Sequence, residues 1–180
     1  MRIISGNLKG KRLFAPAKLP VRPTTDMAKE ALFNIINNQF SIENLVILDL
    51  FSGTGNIAYE FASRGARQIT AVDADNGCVQ FIKKTNHELD LNIQVLKSDV
   101  FSYINKTKAT FDLIFADPPY DLPIREFEKI NALVFEHNLL NPEGLLVIEH
   151  SSKMDFSTLQ HFEVTRKYGG SSFSFFRILK

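Results

Sequence analysis

The run Asp49-Leu50-Phe51-Ser52-Gly53-Thr54-Gly55 decides the fold. Ahead of it, Val46-Ile47-Leu48 continues the same apolar strand character; behind it, residues 56–64 read as a helix closed by Gly65. Two glycines between a strand and a helix let the backbone turn tightly and approach a ligand closely. The helix start offers unpaired N–H groups and a positive dipole end, favourable to a carboxylate or phosphate. Residues 53–58 fit the pattern G-x-G-x-x-G/A, and Asp73 lies 18 residues past Gly55, where a ribose-binding acid is expected.

Outward from this run, strand and helix patterns alternate. Strands are predicted at 46–51, 68–73, 93–97, 111–116 and 145–149, and helices at 56–64, 76–89, after Asp99, and at 124–138. Asn141-Pro142-Glu143-Gly144 reads as a turn. The end differs: 163–168, Gly169-Gly170 and 172–179 read as two strands joined tightly. The expected class is α/β, a Rossmann-like doubly wound, mostly parallel seven-stranded sheet with an antiparallel carboxyl-terminal hairpin strand. At the amino end, residues 2–5, a turn at 6–10 and residues 11–14 read as a small basic β-hairpin. Pro16, Pro20 and Pro23 then make an extended stretch. Thr24, Thr25 or Asp26 can cap a helix reaching about Gln39, with Ala28, Ala31, Leu32, Ile35 and Ile36 at helical spacing.

With 180 residues, 44% of them hydrophobic, the chain suits one domain: an arm over 1–25 and a helix plus core over 26–180. No apolar run approaches the ~18 residues of a membrane span, and the amino end lacks a signal-peptide core, so a cytoplasmic protein is expected. Cys78 is the single cysteine, and His87, His137, His150 and His161 are scattered, so neither an internal disulfide nor a metal site is expected. Arg2, Lys9, Lys11, Arg12, Lys18 and Arg22 fall in residues 1–25 without any acid. The remaining chain holds 15 basic and 20 acidic residues. A basic arm on an acidic body suggests a docked polyanion; a solvated hairpin without a partner is the plainer alternative.

Asp49, Asp73, Asp99 and Asp117 each stand at a predicted strand end, and in an open α/β sheet these ends share the ligand-binding edge. Any one of them could simply cap a helix; four beside a glycine loop favour a crevice. So many carboxylates would serve a pyrophosphate poorly. They suit S-adenosylmethionine, which carries a sulfonium, an ammonium, ribose hydroxyls and an adenine amine. Asp49, with Phe51, Ser52, Gly53, Thr54 and Gly55, would face the methionine end. Asp73, followed by Ala74, would accept from the ribose, and Asp99 from the adenine amine, with Val100 or Phe101 against the ring.

Asp117-Pro118-Pro119-Tyr120 follows the apolar run at 111–116. An ionised aspartate only accepts, and proline offers a carbonyl without an N–H. With Tyr120 as a stacking platform, Asp117 and Pro118 suit a planar base carrying an exocyclic amine. The same four residues are also good turn chemistry.

These motifs together resemble the class I S-adenosylmethionine-dependent methyltransferases. Within them the chain resembles the bacterial RsmD-like family of small-subunit ribosomal RNA guanine-N2 methyltransferases. The resemblance runs nearly end to end. It includes Arg2-Ile3-Ile4-Ser5-Gly6, Gly10-Lys11-Arg12-Leu13, Arg22-Pro23-Thr24-Thr25-Asp26, Lys29-Glu30-Ala31-Leu32-Phe33-Asn34, the glycine loop, Ser63-Arg64-Gly65-Ala66, Asp117-Pro118-Pro119-Tyr120 and Tyr168-Gly169. Ser52 and Thr54 stand where Ala and Ser are usual, and Asn56 where a small residue is common. The resemblance implies a guanine of small-subunit rRNA, within a preassembled ribosomal subunit, as substrate. Arg2, Lys9, Lys11, Arg12 and Arg22 would then contact RNA, and Thr24 and Thr25 would shape the target-base pocket or merely cap the helix. Three other readings stay open: a nicotinamide-dependent oxidoreductase, an adenine amino-group methyltransferase, and a non-catalytic RNA-binding assembly factor.

Overall fold

The computed structural model describes residues 1–19 and 24–178. Helix α1 (Asp26–Asn37) precedes an alternating series: β1 (Val46–Leu50), α2 (Asn56–Ser63), β2 (Gln68–Asp73), α3 (Asn76–Glu88), β3 (Ile93–Lys97), α4 (Val100–Lys106), β4 (Phe111–Ala116), α5 (Ile124–Glu136) and β5 (Leu140–Ser151). The chain closes with β6 (Phe162–Tyr168) and β7 (Ser171–Phe176). The seven strands form one sheet in the order β3-β2-β1-β4-β5-β7-β6. Its first five strands pair in parallel, and β7 inserts antiparallel between β5 and β6. This is the doubly wound α/β sheet expected.

Side chains alternate across each strand, so one sheet feeds two cores. Ile47, Ala71, Leu113 and Phe115 pack with Leu32, Phe33 and Ile36 of α1, with α2 and with α3. Leu48, Leu50, Ile114 and Ala116 pack with Ile104 of α4 and with Phe127, Ile130 and Val134 of α5. Strands buried on both faces read as continuous apolar runs, which is why 46–51 and 111–116 stand out in the sequence. Strand β1 stops one residue earlier than expected because Phe51 turns left-handed, at φ +58°.

One expectation needs correction. Strand β5 begins at Leu140 opposite Phe111 and resumes pairing at Leu145 opposite Leu113. Asn141–Gly144 therefore loops out within a strand instead of preceding one, with Glu143 at φ +66°. The amino-terminal arm is the small hairpin expected: Arg2 bridges Arg12 antiparallel, and Ile3 N–H donates to the Lys11 carbonyl, Gly10 N–H to the Ile3 carbonyl and Leu13 N–H to the Met1 carbonyl at 3.0, 2.8 and 3.0 Å. Its outward-facing donors tie it to α2: Ile4 and Ser5 N–H donate to Glu60 at 2.8 and 3.0 Å. Gly6 makes this close approach possible, since a Cβ there would lie 1.9 Å from the Ser63 carbonyl oxygen. Ile3 and Leu13 are buried in the core, so the arm is packed against the body. Among the described residues, no helix is long and apolar enough to cross a membrane.

Candidate active site at the carboxyl edge of the sheet

The chain winds outward from β1 through β2 to β3, then returns to the other side of β1 as β4. Such a switch point leaves a crevice at the carboxyl ends of the two central strands. A cavity of about 380 Å³ opens there, a size suited to a small cofactor. It brings together Asp49, Phe51, Ser52, Gly53, Thr54, Asp73, Ala74, Asp99, Val100, Asp117, Pro118 and Tyr120. These residues stand at the carboxyl ends of four strands or just after them, and were singled out from the sequence.

The glycine loop is built by hydrogen bonds to β2. Ser52 N–H donates to the Val72 carbonyl at 3.0 Å and Gly53 N–H to Asp73 Oδ2 at 2.7 Å. Gly53 and Gly55 have φ of +52° and +83°. A Cβ on Gly55 would meet the Tyr59 ring at 2.9 Å. Gly55 caps α2 without lining the cavity, so it shapes the wall from behind.

Asp49 is the one carboxylate of β1, and it is 1% exposed. Its Oδ2 has no hydrogen-bond partner, nor has the buried Ser52 Oγ. Burial pushes the Asp49 carboxyl up to about 8, opposed by the Ala58 N–H and reinforced by Asp73. A buried carboxyl with an orphaned oxygen calls for a donor or a cation supplied from outside the chain.

Asp73 Oδ1 accepts from the Asp75 N–H at 2.8 Å, so its two oxygens bind two different loops. Burial raises its pKa against these N–H groups. Asp75 and Asp99 cap α3 and α4, accepting from Cys78 and Ser102 N–H at 2.8 Å each. Asp99 thus does cap its helix while also lining the cavity. Val100 lines the cavity, whereas the Phe101 ring lies under Lys129 Nζ at 4.4 Å. Cys78 lines the wall as well; burial, then Asp73 and Asp75, push its thiol up to about 12, too high for a nucleophile at neutral pH.

Across the crevice, Asp117 N–H donates to the Leu50 carbonyl at 3.3 Å, continuing the β1–β4 register of Leu50 with Ala116. Asp117 is half-buried, and desolvation, then Glu149 and Asp49, hold its carboxyl well above the usual range. The Tyr120 hydroxyl lies 2.7 Å from Ser171 Oγ, with the residue 40% exposed at the rim.

Thr24 also lines the cavity, its hydroxyl donating to Glu149 Oε2 at 2.9 Å. Thr25 accepts from the Ala28 N–H and caps α1. Arg2, Lys9, Lys11 and Arg12 are exposed on the arm, where Arg2 pairs with Asp26 at 3.0 Å. Arg22 lies outside the described residues. Sequence reasoning missed Asn56, Ile57, Asp75, Cys78 and Phe115 on the wall, and the buried Glu149 behind it. Asp75 carried a usable signal, a cap directly before a predicted helix. Glu149 carried none, since its partner is 125 residues away.

The family model described as conserved hypothetical protein 95 matches residues 1–177. The "Putative rRNA methyltransferase YlbH" of Bacillus subtilis is 35% identical over 173 residues, 93% of this chain and 92% of that protein. "Ribosomal RNA small subunit methyltransferase D" of Escherichia coli is 32% identical over 150 residues, 83% of this chain and 74% of that protein. The chain belongs to this family. The RsmD-like resemblance thus holds over nearly its whole length. Solved structures agree on the fold. A Thermus thermophilus hypothetical protein matches with a TM-score of 0.86 at 24% identity, covering 99% of both chains. A Thermus thermophilus 16S rRNA N2 methyltransferase, solved with AdoMet and guanosine, matches with a TM-score of 0.71 at 22% identity. That match covers 98% of this chain and 48% of the other.

Proposed function

We propose that this protein transfers a methyl group from S-adenosylmethionine to the exocyclic 2-amino group of a guanine in small-subunit ribosomal RNA. One observation carries the reading: the Asp117 carboxyl and the Pro118 carbonyl share a cleft with the orphaned Asp49 carboxyl. A cation-seeking carboxyl and a pair of acceptors for an amine therefore face one cavity.

The residues present fit the cofactor. Asp49 Oδ2 and Ser52 Oγ are buried at the glycine loop and want donors. Asp49 would meet the cationic methionine end, with Gly53 permitting close backbone approach. Asp73 would accept from ribose hydroxyls through lone pairs beyond those used by Gly53 and Asp75. Asp99 would take the adenine amine, with Val100 against the ring.

S-adenosylmethionine supplies an electrophilic methyl carbon. A guanine amine is a poor nucleophile because its lone pair is delocalised into the ring. Asp117 and the Pro118 carbonyl would accept its hydrogens, bend the nitrogen towards tetrahedral geometry and aim the lone pair. The raised proton affinity of Asp117 suits it to take the proton that the methylated amine must shed. An ionised carboxylate also favours guanine over adenine. Guanine presents an N1–H beside its amine, whereas adenine presents an acceptor there. The target base must leave its stack to reach the cleft, and Tyr120 at the rim would replace part of the lost stacking. The arm's Lys9, Lys11, Arg12 and Arg2 would hold phosphates of RNA within a preassembled subunit.

The test is transfer of labelled methyl groups to small ribosomal subunits, with methylated guanines mapped in rRNA from cells with and without the protein. One guanine-N2 methylation should depend on the protein. Identical maps would sink the proposal.

A further inference from the structure

Thr24 is tied to two elements on opposite sides of the cleft. Its hydroxyl donates to Glu149 Oε2 at 2.9 Å, and its carbonyl accepts from Asn56 Nδ2 at 3.3 Å. Asn56 opens α2, and its Oδ1 accepts from Lys29 Nζ at 2.9 Å. Lys29 also donates to the Arg2 carbonyl and lies 3.4 Å from Glu60 Oε2. A line of hydrogen bonds thus runs from β5, over Thr24 at the cavity rim, into the buried pair that anchors the basic arm.

Glu149 is 3% exposed and does not line the cavity. Ile148 pairs with Ala116, so Glu149 comes level with Asp117 on the neighbouring strand. The hydrogen bond to Thr24 spans 125 residues of sequence. Thr24 also directly precedes the Thr25 cap of α1. Thr24 is thus held by a buried acceptor beside the proposed amine-accepting residue.

We propose that Glu149 is a positioning residue: through the Thr24 hydroxyl it fixes the rim of the target-base pocket over Asp117. This rests on the functional reading above, in which Asp117 receives the amine. A displacement of ~1 Å in such a constellation costs on the order of 100-fold in rate, so the bond should show in turnover more than in binding.

The experiment is single-turnover methylation of small ribosomal subunits by wild type, Thr24→Val, Thr24→Ser, Glu149→Ala and Asp117→Ala. Cofactor affinity is measured by calorimetry and folding by thermal melting. Thr24→Val is nearly isosteric and removes only the donor, so it keeps the test open should Glu149→Ala fold poorly. Thr24→Val should lower the rate constant by about 10–100-fold with cofactor affinity and subunit KM within about twofold. Thr24→Ser, which restores the hydroxyl, should recover it to within about threefold. A wild-type rate in Thr24→Val, no recovery in Thr24→Ser, or a loss confined to KM or cofactor affinity would overturn the positioning role. If instead Asp117→Ala methylates at the wild-type rate, the functional reading is what fails.

Discussion

Asp73 Oδ2 accepts from the Gly53 N–H at 2.7 Å, across the β2–β1 boundary. Its other oxygen holds Asp75 N–H at 2.8 Å, so one carboxyl fixes both the glycine loop and the start of α3. The residue that would bind ribose therefore also sets the loop for the methionine end. Asp73→Ala should weaken S-adenosylmethionine binding by ~1.5–3 kcal/mol, as for a lost charge-assisted hydrogen bond. Calorimetry showing unchanged affinity would remove Asp73 from the site.

Asp117→Ala should abolish turnover while leaving cofactor affinity within a few fold. Burial, Glu149 and Asp49 raise the Asp117 pKa, and only its ionised form accepts the amine hydrogens. The wild-type rate should therefore rise with pH through that raised value and be lost as pH falls below it. A flat profile across the acid and neutral range, or single-turnover methylation by the variant at the wild-type rate, would contradict the mechanism.

Asp49 sets a second pH dependence. Its carboxyl titrates near about 8 in the folded chain. Affinity for a cationic cofactor should climb as pH rises towards that value and level off above it. The stability sign is opposite. A carboxyl raised on folding makes the folded state bind more protons than the unfolded one between its ordinary range and about 8, so its contribution to stability shrinks as pH rises through that window. Asp49→Asn should therefore lose cofactor binding yet gain Tm relative to wild type, by more at pH 9 than at pH 6. Equal Tm differences at the two values would show that Asp49 does not titrate as described.

Glu60 is the anchor of the arm. It is fully buried and accepts from Ile4 N–H, Ser5 N–H and Arg64 Nε at 2.8, 3.0 and 3.0 Å, with Lys29 Nζ 3.4 Å away. Burial lowers the Lys29 pKa, and Glu60 acts against that. Glu60→Ala would strip the buried Lys29 ammonium of its counter-ion, leaving it only the Arg2 carbonyl and Asn56, and would leave two backbone donors unpaired, at ~3–5 kcal/mol. Denaturant unfolding would read the loss; a change below ~1 kcal/mol would mean that water or another group replaces the carboxylate.

Much of this was legible in the sequence because it depends on local pattern. Apolar runs buried on both faces mark β1 and β4, and an aspartate near the end of each of the first four strands marks the shared edge. What escaped depends on distant partners. The 2–14 segment forms the hairpin that its alternation and turn announce, but its anchor, the Glu60 carboxylate that accepts from Ile4 and Ser5 N–H, lies more than 50 residues away. Asn141–Gly144 has turn chemistry, and it does turn, but inside β5. Thr24 and Glu149 meet across 125 residues of sequence, and nothing in either residue's neighbours announces the other.

The basic arm gives the prediction that most directly probes the RNA. Lys9, Lys11 and Arg12 are exposed, while Ile3 and Leu13 beneath them are buried and hold the backbone in place. Replacing the three basic residues by Ala should therefore leave the arm packed and remove only charge. Subunit affinity should fall. Its log–log salt slope should flatten by roughly 0.7–0.9 per lost phosphate contact, because each contact releases condensed counterions. Cofactor affinity should stay unchanged, since the three side chains do not line the cavity. The measurement is subunit affinity across a salt series for wild type and triple variant. Parallel slopes would mean that these residues are solvated in the complex and that the RNA approaches the cleft from another face.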